Sequence, residues 1–103
     1  MAGSKEWTAI NQEGNMLNDI EIKNIIKKII ASEKNINTDD VLEEKNFEQL
    51  SINSIEFISL IAECEEKFGI RFEDEKLLLE EFPNLESFLS YAIALYNRTE
   101  DHV

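Results

Sequence analysis

Isoleucines at 22, 25, 26, 29 and 30 recur at i, i+3, i+4, i+7 and i+8, the spacing of one helical face, and predict a first helix over about residues 18–32. Lys23, Lys27, Lys28 and Lys34 fall on that helix or just past it. Cations suit the negative end of a helix dipole, and these read as a solvated basic face. Residues 33–53 show no such period and form a connection longer than compact domains usually use. Val41, Leu42, Phe47, Leu50 and Ile52 are expected to pin it to the core. Asn37, Thr38, Asp39 and Asp40 are turn formers, and a short helical turn is expected around Val41 to Glu44.

A second helix is predicted from Ser54 to about Phe68, and its apolar arc covers about 220 degrees of the wheel, more than one packed face needs. Glu65 divides that arc. Phe57, Leu60, Ile61, Cys64 and Phe68 make an uninterrupted core stripe. Ile55, Ile58 and Ala62 make a second stripe flanked by Glu65, Glu66 and Ser59, expected to be partly exposed; the alternative is that Ile55 and Ile58 pack under the preceding loop. Gly69 reads as a left-handed C-cap. Phe82-Pro83-Asn84 stops the chain, and Asn84 caps a last helix presenting Leu85, Phe88, Leu89, Ala92, Leu95 and Tyr96. These periods predict three full helices and one short one, an all-α antiparallel bundle.

Charge changes the picture in one respect. The net charge is -12, and -10 of it falls between residues 39 and 81, around Ser54. That excludes nucleic acid and an anionic membrane surface as partners and favours basic proteins. The apolar content is 43%, enough to fill one core in a chain of 103 residues. A single cysteine allows no intramolecular disulfide, no run is apolar enough to span a bilayer, and the cytoplasm is the expected location. Residues 1–16 read as a disordered tail or an expression remnant, 17–97 as the folded domain and 98–103 as a frayed tail. A monomer is expected.

Enzymatic chemistry fails on inventory. The sole histidine, His102, lies in the tail, so neither a Ser-His nor a Cys-His pair is expected in the fold. Glu73 to Phe82 lacks the central glycine and alternating ligands of a calcium loop, and no metal site is expected. Cys64 reads as a small buried hydrophobe. Ser54 is different. A hydroxyl in the first turn of a helix can carry a phosphate-linked group, because unpaired backbone N–H groups and the positive dipole end support it. Asn and Ser are equally ordinary N-cap residues, so position by itself does not decide.

From Asn53 to Glu75 the chain reads Asn-Ser-Ile-Glu-Phe-Ile-Ser-Leu-Ile-Ala-Glu-Cys-Glu-Glu-Lys-Phe-Gly-Ile-Arg-Phe-Glu-Asp-Glu. This resembles the acyl carrier and peptidyl carrier protein family, in an Asp-Ser-Leu-type tripeptide, a helix ending in Glu-Glu-x-Phe-Gly-Ile and an acidic turn. The resemblance covers roughly residues 17–97. It implies a four-helix bundle whose short third helix falls at Leu77 to Leu79. It further implies 4'-phosphopantetheine on Ser54, with Asn53 in the adjacent motif position, and a recognition surface on the second helix at Ile55, Ile58, Ser59, Ala62, Glu65 and Glu66. The partners implied are a phosphopantetheinyl transferase, an acyl- or aminoacyl-loading enzyme and downstream enzymes with basic patches. Asn53 stands where the family commonly has Asp, and Phe57 and Ser59 also depart from the usual fatty acid carrier run. A stand-alone carrier of a polyketide or nonribosomal peptide pathway is expected, ahead of a primary fatty acid or cell-wall aminoacyl carrier. The reading from another class is an unmodified acidic helical adaptor that binds through Ile55, Ile58 and Ala62.

Overall fold

A computed structural model describes residues 16–101, with side chains up to Arg98. The expectations for residues 1–15 and for His102 lie outside the described residues. Three α-helices carry the fold: α1 (Asp19–Lys34), α2 (Ser54–Phe68) and α3 (Leu85–Asp101). Residues 98–101, expected to fray, continue α3.

Each helix begins on an asparagine whose side chain replaces a missing backbone partner. Asn18 Oδ1 accepts from Glu21 N at 2.8 Å, Asn53 Oδ1 from Glu56 N at 2.8 Å and Asn84 Oδ1 from Ser87 N at 2.9 Å. Glu21 and Glu56 return the bond to the amides of Asn18 and Asn53, closing two capping boxes. At the other ends, Asn35 (φ 57) and Gly69 (φ 65) adopt the left-handed conformation that ends a helix, the second at the glycine expected to do so.

The long connection between α1 and α2 is held as expected by Val41, Phe47, Leu50 and Ile52, all buried, whereas Leu42 is 40% exposed. Around the expected Val41 to Glu44 there is a single hydrogen-bonded turn, Lys45 N to Leu42 O at 3.2 Å, and the longer turns lie on either side of it. A 3-10 turn occupies Thr38–Asp40, and a single helical turn follows Asn46. Asn46 and Gln49 exchange side-chain and backbone bonds at 2.7 and 2.9 Å, and Ile52 N reaches Phe47 O at 2.8 Å past a left-handed Ser51. The reciprocal cap at Asn46 draws the turn there, and Val41 enters the core directly.

The short third helix is not formed. Two 3-10 turns, Asp74–Lys76 and Leu79–Glu81, take its place, separated by an extended Leu78 (φ -121, ψ 137). Leu77 and Leu79 pack on the core while Leu78 is 56% exposed, an alternation that extended chain satisfies and a helix does not. Pro83 then keeps Phe82 out of helical conformation, at φ -125 and ψ 100.

Antiparallel packing holds for α1 against both other helices. Lys34 at its end meets Glu56 at the start of α2, and Leu17 before its start meets Tyr96 late in α3. Helices α2 and α3 run the same way, since Phe57 stacks with Phe88 near both starts and Phe68 with Tyr96 near both ends. Residues 69–84 supply the return. Met16, assigned to the tail, is already engaged: its Sδ accepts from Tyr96 Oη at 3.8 Å.

One core runs through the bundle. Ile22, Ile26 and Ile30 of α1, the stripe Phe57, Leu60, Ile61, Cys64 and Phe68 of α2, and Leu85, Phe88, Leu89 and Ala92 of α3 are all buried. Phe88 lies at its centre, fully buried, with four aromatic rings within 6 Å centroid to centroid. Phe88→Ala should therefore lower unfolding free energy by about 3–5 kcal/mol in a denaturant melt. Ile20→Ala, on a residue 68% exposed, should stay within about 0.5 kcal/mol. Equal effects at the two positions would show that the helices face otherwise than described.

Candidate functional site

Ser54 is the first residue of α2 and is solvent exposed. Its position follows from its neighbours. Asn53 is extended at φ -87 and ψ -179 and closes the capping box with Glu56, so the helix starts abruptly at the serine. Ile52, two residues earlier, and Phe57, three residues later, are both buried. Between these two anchors Ser54, at the helix start, and Ile55 are exposed.

The electrostatics of this end are set by three residues. Asn53 N donates to Glu56 Oε1 at 3.0 Å, and Lys34 Nζ, at the end of α1, donates to both Glu56 oxygens at 3.1 and 3.0 Å. The Asn53 amide first, and the Lys34 ammonium second, hold the Glu56 carboxyl below its ordinary 4.5. A second ion-pair group ties the loop to α1: Glu43 lies 2.8 Å from Lys27 and 3.7 Å from Lys23, and the Lys27 bond leads in lowering its pKa. Three of the four lysines expected to form a solvated face are thus engaged.

Along α2 the second stripe is open. Ile55 is 79% exposed, Ile58 45%, and Ser59 and Ala62 are also at the surface, so the isoleucines do not pack under the loop. Glu66 is exposed beside them. Glu65 is only partly so, and its role differs from that of a rim acid. Its Oε2 accepts the Phe72 amide at 2.8 Å, fastening the chain beyond Gly69 back onto the helix. Cys64 is fully buried, and burial pushes its thiol pKa well up, as fits a core residue.

Sequence reasoning passed over Lys34 and Glu56 as site residues. The signal for Glu56 was present in Asn-x-x-Glu, the spacing of a capping box. Lys34 is distant in sequence and comes to Glu56 only through the antiparallel packing of α1 on α2.

An exposed hydroxyl on a capped helix start, with a buried aromatic anchor one turn on, suits covalent attachment of an anionic group. A family model described as a phosphopantetheine attachment site matches residues 24–92, with Ser54 inside the match. The chain belongs to this family. It is similar, at 42% identity over 60 residues (54% of this chain, 71% of the relative), to an acyl carrier protein homolog of Mycoplasma pneumoniae. An acyl carrier protein of Cyanophora paradoxa is 30% identical over 88 residues, covering 85% of this chain and 80% of its own. That of Kineococcus radiotolerans is 34% identical over 61 residues, 58% of this chain and 75% of its own. No solved structure matches the chain significantly. The chain is therefore a non-catalytic carrier protein whose cofactor is 4'-phosphopantetheine. That role implies a phosphopantetheinyl transferase and acyl-handling enzymes as partners.

The site residues present fit the cofactor. Ser54 Oγ can take the phosphodiester without moving any buried group, and capping by Asn53 uses the Glu56 amide while the amides of Ser54 and Ile55 precede the helical ladder. When bound, the group supplies a thiol that holds cargo as a thioester.

The lowered carboxyl of Glu56 carries a pH prediction. Its contribution to stability is complete above pH 4.5 and is lost as the pH falls from there through the lowered value. Glu56→Gln keeps a carbonyl for the Asn53 amide and removes the charge facing Lys34. Its denaturation midpoint should lie below that of the parent at pH 7 and converge on it at an acid pH below the lowered value. A gap that is the same at both pH values would contradict the assignment.

Proposed function

We propose that Ser54 is the attachment residue and that the chain shuttles acyl or aminoacyl thioesters between partner enzymes of a polyketide or nonribosomal peptide pathway. The observation that carries the attachment is the exposed Ser54 hydroxyl at the capped start of α2, inside the matched family segment. In the loading step Ser54 Oγ bonds to the pantetheine-bearing phosphorus of coenzyme A. The pyrophosphate link breaks, adenosine 3',5'-bisphosphate leaves, and the hydroxyl proton passes to a base of the transferase. Asn53, Phe57 and Ser59 support the pathway assignment, as departures from the usual fatty acid carrier run. The relatives, named acyl carrier proteins, support a primary fatty acid carrier equally well.

Partners are recognised through the strip Ile55, Ile58, Ser59 and Ala62, with Glu66 at its edge. An apolar strip beside acidic side chains fits a basic rim around an apolar patch, and long-range attraction to such a partner weakens with salt. Among the described residues no helix is long and apolar enough to cross a membrane, and we place the carrier in the cytoplasm.

Incubation with coenzyme A and a broad-specificity transferase should add one phosphopantetheine to the intact mass, and Ser54→Ala should abolish the gain. An addition that survives Ser54→Ala would sink the attachment.

Ala62→Glu tests the strip. Position 62 is exposed, so the unfolding free energy should change by no more than about 0.5 kcal/mol. Transfer of cargo to a partner enzyme should nonetheless fall, because docking desolvates an unpaired carboxylate against an apolar patch. Undiminished transfer would remove Ala62 from the docking surface.

A further inference from the structure

The acid nearest Ser54 in the chain is paired with a lysine of another helix. Glu56 is the acid of the first turn of α2, and its Oε1 accepts the Asn53 amide at 3.0 Å, one residue before the serine. Backbone bond lengths then place this carboxylate within about 8 Å of the Ser54 Cα. That is no farther than the Debye length in physiological salt, about 8 Å. Left unpaired, the charge opposes loading, because the group that arrives is an anion. Coenzyme A brings a pyrophosphate to the Ser54 hydroxyl, and the phosphodiester it leaves there keeps a negative charge. A neighbouring carboxylate repels both and offsets the positive dipole end that otherwise favours a phosphate.

Lys34 removes that opposition. Its Nζ donates to Oε1 and Oε2 of Glu56 at 3.1 and 3.0 Å, so both carboxylate oxygens are engaged. The ammonium is itself held in place. Helix α1 ends on Lys34, and Asn35 closes it in the left-handed conformation with its N–H on the carbonyls of Ala31 and Ser32. The Lys34 side chain is 18% exposed and that of Glu56 29%, so neither arm is a loose surface group. An exposed ion pair loses most of its worth to the ordering of two long side chains, and here much of that ordering is already imposed by the fold. Glu33 lines the same cleft between α1 and α2 as Glu56, so the ammonium stands on the side of α2 where negative charge gathers.

We propose that Lys34 is a positioning residue for loading: it fixes and neutralises Glu56, so that the phosphoryl group of coenzyme A meets Ser54 at a helix start whose acid is already paired. In that step the bond from Ser54 Oγ to phosphorus forms and the pyrophosphate P–O bond breaks. Adenosine 3',5'-bisphosphate leaves, and the hydroxyl proton passes to a base of the transferase. Lys34 takes part in none of these bonds and acts only through Glu56. The inference rests on Ser54 being the attachment residue and adds to that reading a residue contributed by α1.

Single-turnover loading of the full chain, with coenzyme A and a saturating excess of a broad-specificity transferase, reads the transfer step apart from binding. Intact mass follows the product. Lys34→Met keeps an unbranched stem and removes the charge. It should slow transfer about two- to fivefold at low salt, the effect of a unit charge about 8 Å away in polar surroundings, and by less as salt rises. Lys34→Arg should restore the parent rate. Lys34→Met combined with Glu56→Gln should recover to within about twofold of the parent, because no carboxylate is then left to compensate, whereas two independent structural losses add. Loading should also lower the denaturation midpoint of Lys34→Met more than that of the parent, since its phosphodiester stays beside an unpaired acid. A parent that gains no mass, or a gain that survives Ser54→Ala, is failure of the attachment and takes the loading role of Lys34 with it. With loading at Ser54 established, three results overturn the role of Lys34 and leave the attachment standing. They are a Lys34→Met rate equal to or above the parent's, a double variant as slow as Lys34→Met, and a midpoint change on loading that is the same in Lys34→Met and the parent.

Discussion

Burial of Phe57 is the constraint on which the working end of the molecule depends. The ring is 1% exposed and is gripped by Phe47 from the first connection, Phe82 from the second and Phe88 from α3. Because successive helical residues turn by about 100 degrees, fixing one side chain fixes the heading of all the others. Leu60, Ile61, Cys64 and Phe68 follow it inward and Ile55 and Ile58 are left outward, while Ser54, about 60 degrees from the heading of Phe57, is exposed because it opens the helix. The heading of the helix is thus set by apolar packing. Hydrogen bonds decide only where the helix begins.

What could be read beforehand was whatever local spacing controls. The two stripes of α2, the glycine at its end, the asparagine before α3 and the face of α3 all follow from side-chain period and cap chemistry acting within a few residues. The misreadings occur where distant contacts outweigh local preference. Leu77, Leu78 and Leu79 look helical by composition, but the core accepts only the first and third. Leu42 looks like a pin beside Val41, yet one buried position suffices at that point. Glu65 looks like a surface acid until the chain beyond Gly69 returns with an unpaired amide at Phe72. Lys34 shows no sign of its partner, because the 22 residues separating it from Glu56 are brought back only by the folded loop.

The acidic character of the chain is also less uniform than its composition. Glu43 and Glu56 hold lysines of α1, and Glu65 holds a backbone amide. These three acids stabilise the fold, and their charge is partly neutralised or directed inward. The field presented to a basic partner draws on exposed carboxylates elsewhere, Glu63 on α2 among them. Such division lets a strongly charged small domain hold together while still attracting partners from a distance.

Cys64 is the only cysteine in the sequence, and the fold seals it completely. Reactivity of a sulfhydryl towards electrophiles follows its thiolate, and this one is suppressed by its apolar surroundings and lack of access. Once the pantetheine arm is attached, the native protein presents one chemically available thiol, at the tip of that arm. Cargo cannot migrate to a neighbouring protein sulfhydryl or be lost to an internal disulfide. An alkylating dye applied without denaturant would consequently count arms that carry no cargo, with the folded polypeptide itself contributing no signal.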